Sequence, residues 1–199
     1  MANTQPDLFP YFIITLIVIT VTFSAYYSNR KRREALRKLI GCLNGQIAKF
    51  SFAPTLNGEF QGLKFSIVLI PHGKNSPPYL NVSLFKDSSF KFKIYREDLL
   101  SKIGKKFRVV REVITGDESF DRQFLILSND PTQAMVYFSN SAIKDTVKEV
   151  FGVGFHHILA TGKQVTIQKT DYVLENDLDP AFITGILQKL TLLSKSLAN

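Results

Sequence analysis

The chain has 199 residues, 45% of them apolar and 12% aromatic, with 25 Lys and Arg against 17 Asp and Glu for a net charge of +8. That length suffices for one domain with a real core, and so much apolar and aromatic side chain excludes an intrinsically disordered chain. One cysteine excludes an intrachain disulfide framework and any multi-cysteine metal site, and three histidines leave little material for a histidine-built one.

No charged residue lies between Asp7 and Arg30, so 8–29 is an uncharged run of 22 residues rich in Ile, Val, Leu, Phe and Thr. As a helix it would rise roughly 33 Å, enough for a hydrocarbon core of about 30 Å. Phe9, Tyr11 and Phe12 at one end and Tyr26 and Tyr27 at the other resemble interfacial aromatic belts. A cleaved signal would carry positive charge ahead of a shorter apolar core, and here the first ten residues hold no Lys or Arg. The expectation is an uncleaved transmembrane helix. Arg30, Lys31, Arg32, Arg33, Arg37 and Lys38 follow directly. The positive-inside rule then places the amino terminus outside and the rest in the cytoplasm, as a single-pass protein of the cell inner membrane.

The positive charge is unevenly spread. Residues 1–27 carry −1, 28–49 carry +6 and 50–199 carry +3. Within the last region 86–111 holds nine basic and three acidic residues, whereas 112–199 holds seven and eleven. The six-residue basic cluster reads as a topology signal that also attracts anionic lipid headgroups, at about 1 kcal/mol per basic residue near such a surface. Ala35, Leu36, Leu39, Ile40 and Leu43 share one side of a helix over 29–43, which Gly41, Asn44 and Gly45 bring to a close. The domain limits read from this pattern are an anchor at 1–29, a basic juxtamembrane helix at 30–45 and a cytoplasmic α+β domain at 46–199.

Beyond residue 46 strands are predicted at 60–70, 79–85 and 90–95, the last two as a hairpin across Lys86–Ser89. In the third of these, Phe90, Phe92 and Ile94 alternate with Lys91, Lys93 and Tyr95, giving one apolar and one basic face. A short helix at 98–103, a strand at 107–115, a turn at 116–121 and a strand at 124–127 follow. Asp130-Pro131 starts a helix or helix pair reaching about Phe151, with Ser139-Asn140 as a break. A second hairpin joins 155–159 to 164–169. Asp179-Pro180 then opens an amphipathic helix with Phe182, Ile183, Ile186, Leu187, Leu190 and Leu193 on one side. The fold class expected is α+β: one amino-terminal transmembrane helix, then an antiparallel sheet with amphipathic helices packed on it.

The segment Thr115-Gly-Asp-Glu-Ser-Phe-Asp-Arg-Gln-Phe124, followed by Ser128-Asn-Asp-Pro-Thr-Gln-Ala134, resembles the signature of an uncharacterised family of bacterial membrane-anchored proteins, in which a G-D-x-x-F-D-x-x-F run precedes a strand and a helix opening at a D-P pair. The resemblance covers 40–195 loosely and 115–134 with some specificity. It implies a cytoplasmic α+β domain and supplies no activity to transfer.

Residues that bear chemistry are sparse. Asp117, Glu118 and Asp121 could bind Mg²⁺ or exchange protons, but in a turn between strands such residues ordinarily cap and face solvent. His156 and His157 are adjacent in a strand and point to opposite faces, and His72 sits alone in a Pro/Gly loop. Gly152-Val-Gly154 follows a helix and precedes a strand, the reverse of a phosphate loop. Cys42 is open to acylation or is an idle thiol. The aromatic, basic stretch 86–111, with Lys91, Lys93, Lys105 and Lys106, could hold nucleic acid, although outward lysines on a half-covered sheet explain it with less.

No catalytic residue, cofactor or metal ligand is therefore assigned. The function expected is that of a non-catalytic accessory or structural subunit of a larger membrane complex, such as an energy-transducing one, whose partners are other integral membrane subunits and anionic lipid. Thr15, Thr22 and Ala25 are candidates for packing against a partner helix. A membrane-tethered ligand- or lipid-sensing module and an enzyme with a dispersed site are the alternatives.

Overall fold

The computed structural model describes residues 9–49, 51, 53–73, 76–96 and 111–197, with no side-chain description for 9–11, 17, 18, 21, 22, 24 and 25. It opens on a long helix, α1 (Phe9–Leu43). Then come β1 (Gln46–Ile47), β2 (Thr55–Phe60), β3 (Leu63–Ile70), β4 (Tyr79–Phe85), β5 (Phe92–Arg96) and β6 (Arg111–Glu112). A one-turn helix α2 (Glu118–Asp121) leads to β7 (Phe124–Ser128) and the pair α3 (Pro131–Ser139) and α4 (Ser141–Gly152). The chain finishes with β8 (His157–Ala160), β9 (Gln164–Thr170), the short α5 (Leu174–Asp177) and α6 (Pro180–Lys195).

Among the described residues the strands form one nine-stranded sheet in the order β1-β2-β3-β4-β9-β8-β5-β7-β6, with every neighbouring pair antiparallel. Side chains alternate between its faces, and the register aligns the apolar ones. Phe65, Leu84, Val165, Ala160 and Phe92 form one row, and Ile67, Val82, Ile167, Ile158, Ile94 and Ile126 form the next. All of these are buried. The helices cover this face. From α6, Ile183, Ile186, Leu187, Leu190 and Leu193 enter the core, each at most 2% exposed and each worth about 2 kcal/mol of burial. From α1, Leu36, Leu39 and Leu43 do the same. Phe92, Phe120, Phe124, Tyr137, Phe138 and Phe151 meet in one aromatic cluster, where Tyr137 donates its hydroxyl to the Leu193 carbonyl at 2.8 Å.

Local chemistry sets the element ends. Asp130 accepts from the Gln133 amide and Asp179 from the Phe182 amide, each ahead of a proline at the first helical position. Asn140 divides α3 from α4 and caps the latter on the Ala142 amide. The turn between β2 and β3 places both Gln61 (φ 51°) and Gly62 (φ 79°) in the left-handed region, as a two-residue hairpin of this hand requires. This hairpin divides the single strand expected over 60–70. The α1 terminus has Asn44 at φ 47°.

The transmembrane anchor expected over 8–29 is corrected. Among the described residues no helix is long and apolar enough to cross a membrane. Freedom from charge is a weaker condition than the length and apolarity that a described helix needs in order to span. The run is also part of one 35-residue helix that continues through the basic cluster onto the sheet. The transmembrane part of the expected fold, the single-pass topology and the inner-membrane localisation lose their basis accordingly.

A second correction concerns topology. β4 and β5 were expected to pair as a hairpin, but β9 and β8 lie between them. The link 86–91 runs instead past the β8–β9 turn, where the Lys86 amide donates to the Lys163 carbonyl at 2.9 Å and the Ser88 amide to the Gly162 carbonyl at 3.2 Å. The helix expected at 98–103 and residues 107–110 of the strand expected at 107–115 lie outside the described residues, and Arg111–Glu112 of that strand form β6. The turn expected at 116–121 contains α2.

An ion pair between a half-buried lysine and a buried aspartate locks the end of the sheet to the helices. Lys169 Nζ on β9 meets Asp177 Oδ1 on α5 at 2.7 Å and donates to the Val153 carbonyl at 3.0 Å, while Asp177 Oδ2 accepts from the Val173 amide at 2.9 Å. Removing one partner strands a charge in low dielectric. Asp177→Ala is expected to lower the unfolding free energy in urea by roughly 3 kcal/mol. Lys169→Met with Asp177→Leu is expected to recover most of that loss.

Candidate interaction surface

The two halves of α1 have different surroundings. In the second half the basic cluster divides. Arg32 Nε donates to the Tyr172 hydroxyl at 3.0 Å, and the Arg33 guanidinium donates to the carbonyls of Ala48 and Ser51 at 3.4 and 3.2 Å. These two arginines tie the helix to the domain. Arg30, Lys31, Arg37 and Lys38 are exposed. Arg30 pairs with Glu34 at 2.9 Å, and Lys31 Nζ lies 4.9 Å from the centre of the Tyr27 ring. At 100° per residue these four project away from the side that buries Leu36, Leu39 and Leu43.

The first half presents apolar side chains to solvent. Phe12, Leu16, Ile19, Phe23 and Tyr26 are 55–69% exposed and recur at spacings of four, three, four and three. That alternation is the a/d seam of a coiled coil. The spacing is present in the sequence, but a run apolar on every side does not single it out. Thr15, Thr22 and Ala25, the small residues expected to pack on a partner helix, fall on the same half of α1. The side chains of Thr22 and Ala25 are outside the described ones, and Thr15 is exposed.

The acidic turn is built for structure. The Asp121 carboxylate accepts from the amides of Thr115 and Gly116 at 3.1 Å and from the Thr115 hydroxyl at 2.8 Å. Asp117 caps α2 on the Phe120 amide, accepts from Ser119 Oγ at 3.0 Å and takes Lys144 Nζ from α4 at 2.7 Å. Those hydrogen bonds, the lysine's first, hold the Asp117 carboxyl down to about 2. Glu118 pairs with Arg122 in solvent. Each carboxylate is thus engaged within the chain. Among the described residues no group of three His, Cys, Asp or Glu side chains could hold a metal ion. Gly152 ends α4 and Gly154 takes φ 94° ahead of β8. Cys42 is an exposed thiol near the end of α1.

The histidines are not brought to the acidic turn. His157 belongs to the sheet face opposite the helices, in a row of Val68, Asn81, Gln168, His157, Tyr95 and Leu125. Its ring stacks on Tyr95 with centroids 4.6 Å apart and planes 9° apart. The atoms His157 Nε2 and Asn81 Oδ1 are buried without a hydrogen-bond partner. Nothing in the sequence marked this row, because it joins six separate strands. Lys93 is half-buried on the same face and Lys91 is exposed, while Lys105 and Lys106 are outside the described residues.

Among the described residues several grooves indent the surface, two of them above 500 Å³. One of about 800 Å³ lies at the β1–β2 edge, lined by Asn44, Lys49, Asn57, Glu59, Lys64 and Phe85 among others. Another of about 580 Å³ lies beside α3, along Phe90, Gln133, Val136, Tyr137 and Ser196. Neither is lined by a histidine; Glu59 is the carboxylate lining the first, and none lines the second. The space between the sheet and α6 is filled by side chains.

No protein-family model matches the chain, and no curated protein matches it. Among solved structures, the crystal structure of the mycobacterial trehalose monomycolate transport factor A is similar to it. The TM-score is 0.58 at 7% sequence identity, over 85% of this chain and 95% of that one. At that identity the likeness is one of fold. The chain therefore shares its α+β architecture with a transport factor.

Burial, opposed by a hydrogen bond that the ring donates to Gln168, holds His157 down to about 4, and burial also lowers His156. The unfolded chain then takes up these protons first. The stability they contribute is complete above about pH 6.5 and is lost as pH falls towards 4. The imidazole resonances of His157 are expected to titrate near 4 by NMR. His157→Gln is expected to flatten the urea midpoint between those pH values, with His156 supplying what slope remains.

Proposed function

We propose that this protein is a non-catalytic accessory factor of a larger transport assembly, held there by the first half of α1. The observation that carries this reading is the exposed 4-3-4-3 seam of Phe12, Leu16, Ile19, Phe23 and Tyr26 on a helix whose other half is part of the domain core. Exposed apolar stripes of this size mark interaction sites, and a seam of this spacing fits a partner helix by knobs-into-holes packing. The helix is continuous into the sheet, so a partner gripping the seam also fixes the domain's position. The fold shared with a protein named a transport factor supports the accessory role. An enzyme with a dispersed site is less well supported, because Asp117 and Asp121 serve the α2 turn while His157 lies on the uncovered sheet face. A sensing module with its ligand between sheet and α6 would need space that Ile183, Ile186 and Leu187 fill.

Purification of the full chain from its native source in mild detergent is the test. The wild type is expected to elute with a stoichiometric, identifiable set of partner subunits. Phe12→Asp with Phe23→Asp, on side chains already exposed, is expected to elute alone at unchanged domain stability. A wild-type protein that elutes as a lone monomer would sink the reading.

A further inference from the structure

The division of the basic cluster points to a second contact, independent of what grips the seam. Six basic residues sit between Arg30 and Lys38, and the structure gives two of them an internal task. Arg32 and Arg33 are consumed by Tyr172, Ala48 and Ser51. The other four have no such role. Arg30, Lys31, Arg37 and Lys38 occupy the outward side of α1, with Glu34 as the carboxylate among them on the helix, bound to Arg30, and Glu175 of α5 close to Lys31 and Lys38. The four lie within nine residues, about 12 Å of helix, so their fields add over a distance close to the screening length at physiological salt. Lys31 lies over Tyr27 and directly follows the apolar half with its exposed Tyr26 and Tyr27.

We propose that this outward face of α1 binds an anionic phospholipid surface, with Arg37 and Lys38 as its principal contacts. The chemistry is a broad attraction of several cations to a sheet of negative headgroups. A compact phosphate ligand would need converging donors, and these side chains diverge around a helix. Arg37 and Lys38 carry the contact because both are exposed and Arg30 is already partnered by Glu34. The exposed ring of Tyr27, which is not part of the seam, suits the same boundary. The surface contact is peripheral to the bilayer and asks nothing of its interior.

Flotation of the full chain with vesicles of phosphatidylcholine alone, and of phosphatidylcholine with phosphatidylglycerol, tests the proposal. Three proteins are compared: wild type, Arg37→Glu/Lys38→Glu, and the control pair Lys163→Glu/Lys195→Glu, which changes net charge equally at two other exposed sites. At about 1 kcal/mol per basic residue, loss of the two cations alone predicts at least about thirtyfold weaker binding to the anionic vesicles for the α1 variant. The control is expected to stay within about twofold of wild type, and wild-type binding is expected to fall steeply at about 0.5 M salt. Equal binding to both vesicle types, equal loss in both variants, or no binding to anionic vesicles would each overturn the proposal. The seam's partner is read by co-purification, so failure of either idea leaves the other's result legible.

Discussion

Burial of one face of the sheet is the constraint from which the rest of this fold follows. Rows such as Ile67, Val82, Ile167, Ile158, Ile94 and Ile126 run across six strands and offer a continuous apolar surface too wide for one helix. It takes α3 and α4 at one end, α6 across the middle and the second half of α1 at the other to cover it. Each helix is long enough to bury an apolar stripe, and α3, α4 and α6 are each started by a side-chain cap. The Lys169–Asp177 pair and the Tyr137–Leu193 hydrogen bond satisfy polar groups where the helices meet, which a dry interior of this kind demands.

That constraint also explains how α1 divides. Its second half belongs to the core because Leu36, Leu39 and Leu43 face the sheet, and two arginines fasten it to surrounding carbonyls and a tyrosine. The first half passes beyond the domain and has nothing described to cover it. The helix is therefore both a structural element and an arm. An arm continuous with a core passes position from one to the other. Absence of charge along the arm suggested a membrane span, and the finding that no described helix is long and apolar enough to cross a membrane shows how far apart those two properties can lie.

The opposite sheet face has a different character. It places Asn81, Gln168, His157 and Tyr95 side by side, with a stacked imidazole that burial keeps neutral at physiological pH. The acidic turn, by contrast, turns inward chemically: Asp117 and Asp121 spend their oxygens on the backbone, neighbouring hydroxyls and Lys144. A dense carboxylate cluster in sequence became a local scaffold in space, linking the entry to β7 with α4.

The sequence by itself determined the elements with local causes. Asp130-Pro131 and Asp179-Pro180 start helices because a carboxylate caps free amides ahead of a fixed φ, and the 3.6-residue pattern of Ile183, Ile186, Leu187 and Leu190 fixes which side of α6 is buried. The β8–β9 hairpin and the break at Asn140 were legible for the same reason. Only tertiary structure decided that β8 and β9 part β4 from β5, since strand neighbours are chosen by the packing of distant apolar rows and leave no mark in either strand. It also decided that Arg32 and Arg33 serve the domain while Arg37 and Lys38 face outward. Six basic side chains on one helix look equivalent along the chain, and only the position of Tyr172 and the Ala48 and Ser51 carbonyls makes them unequal.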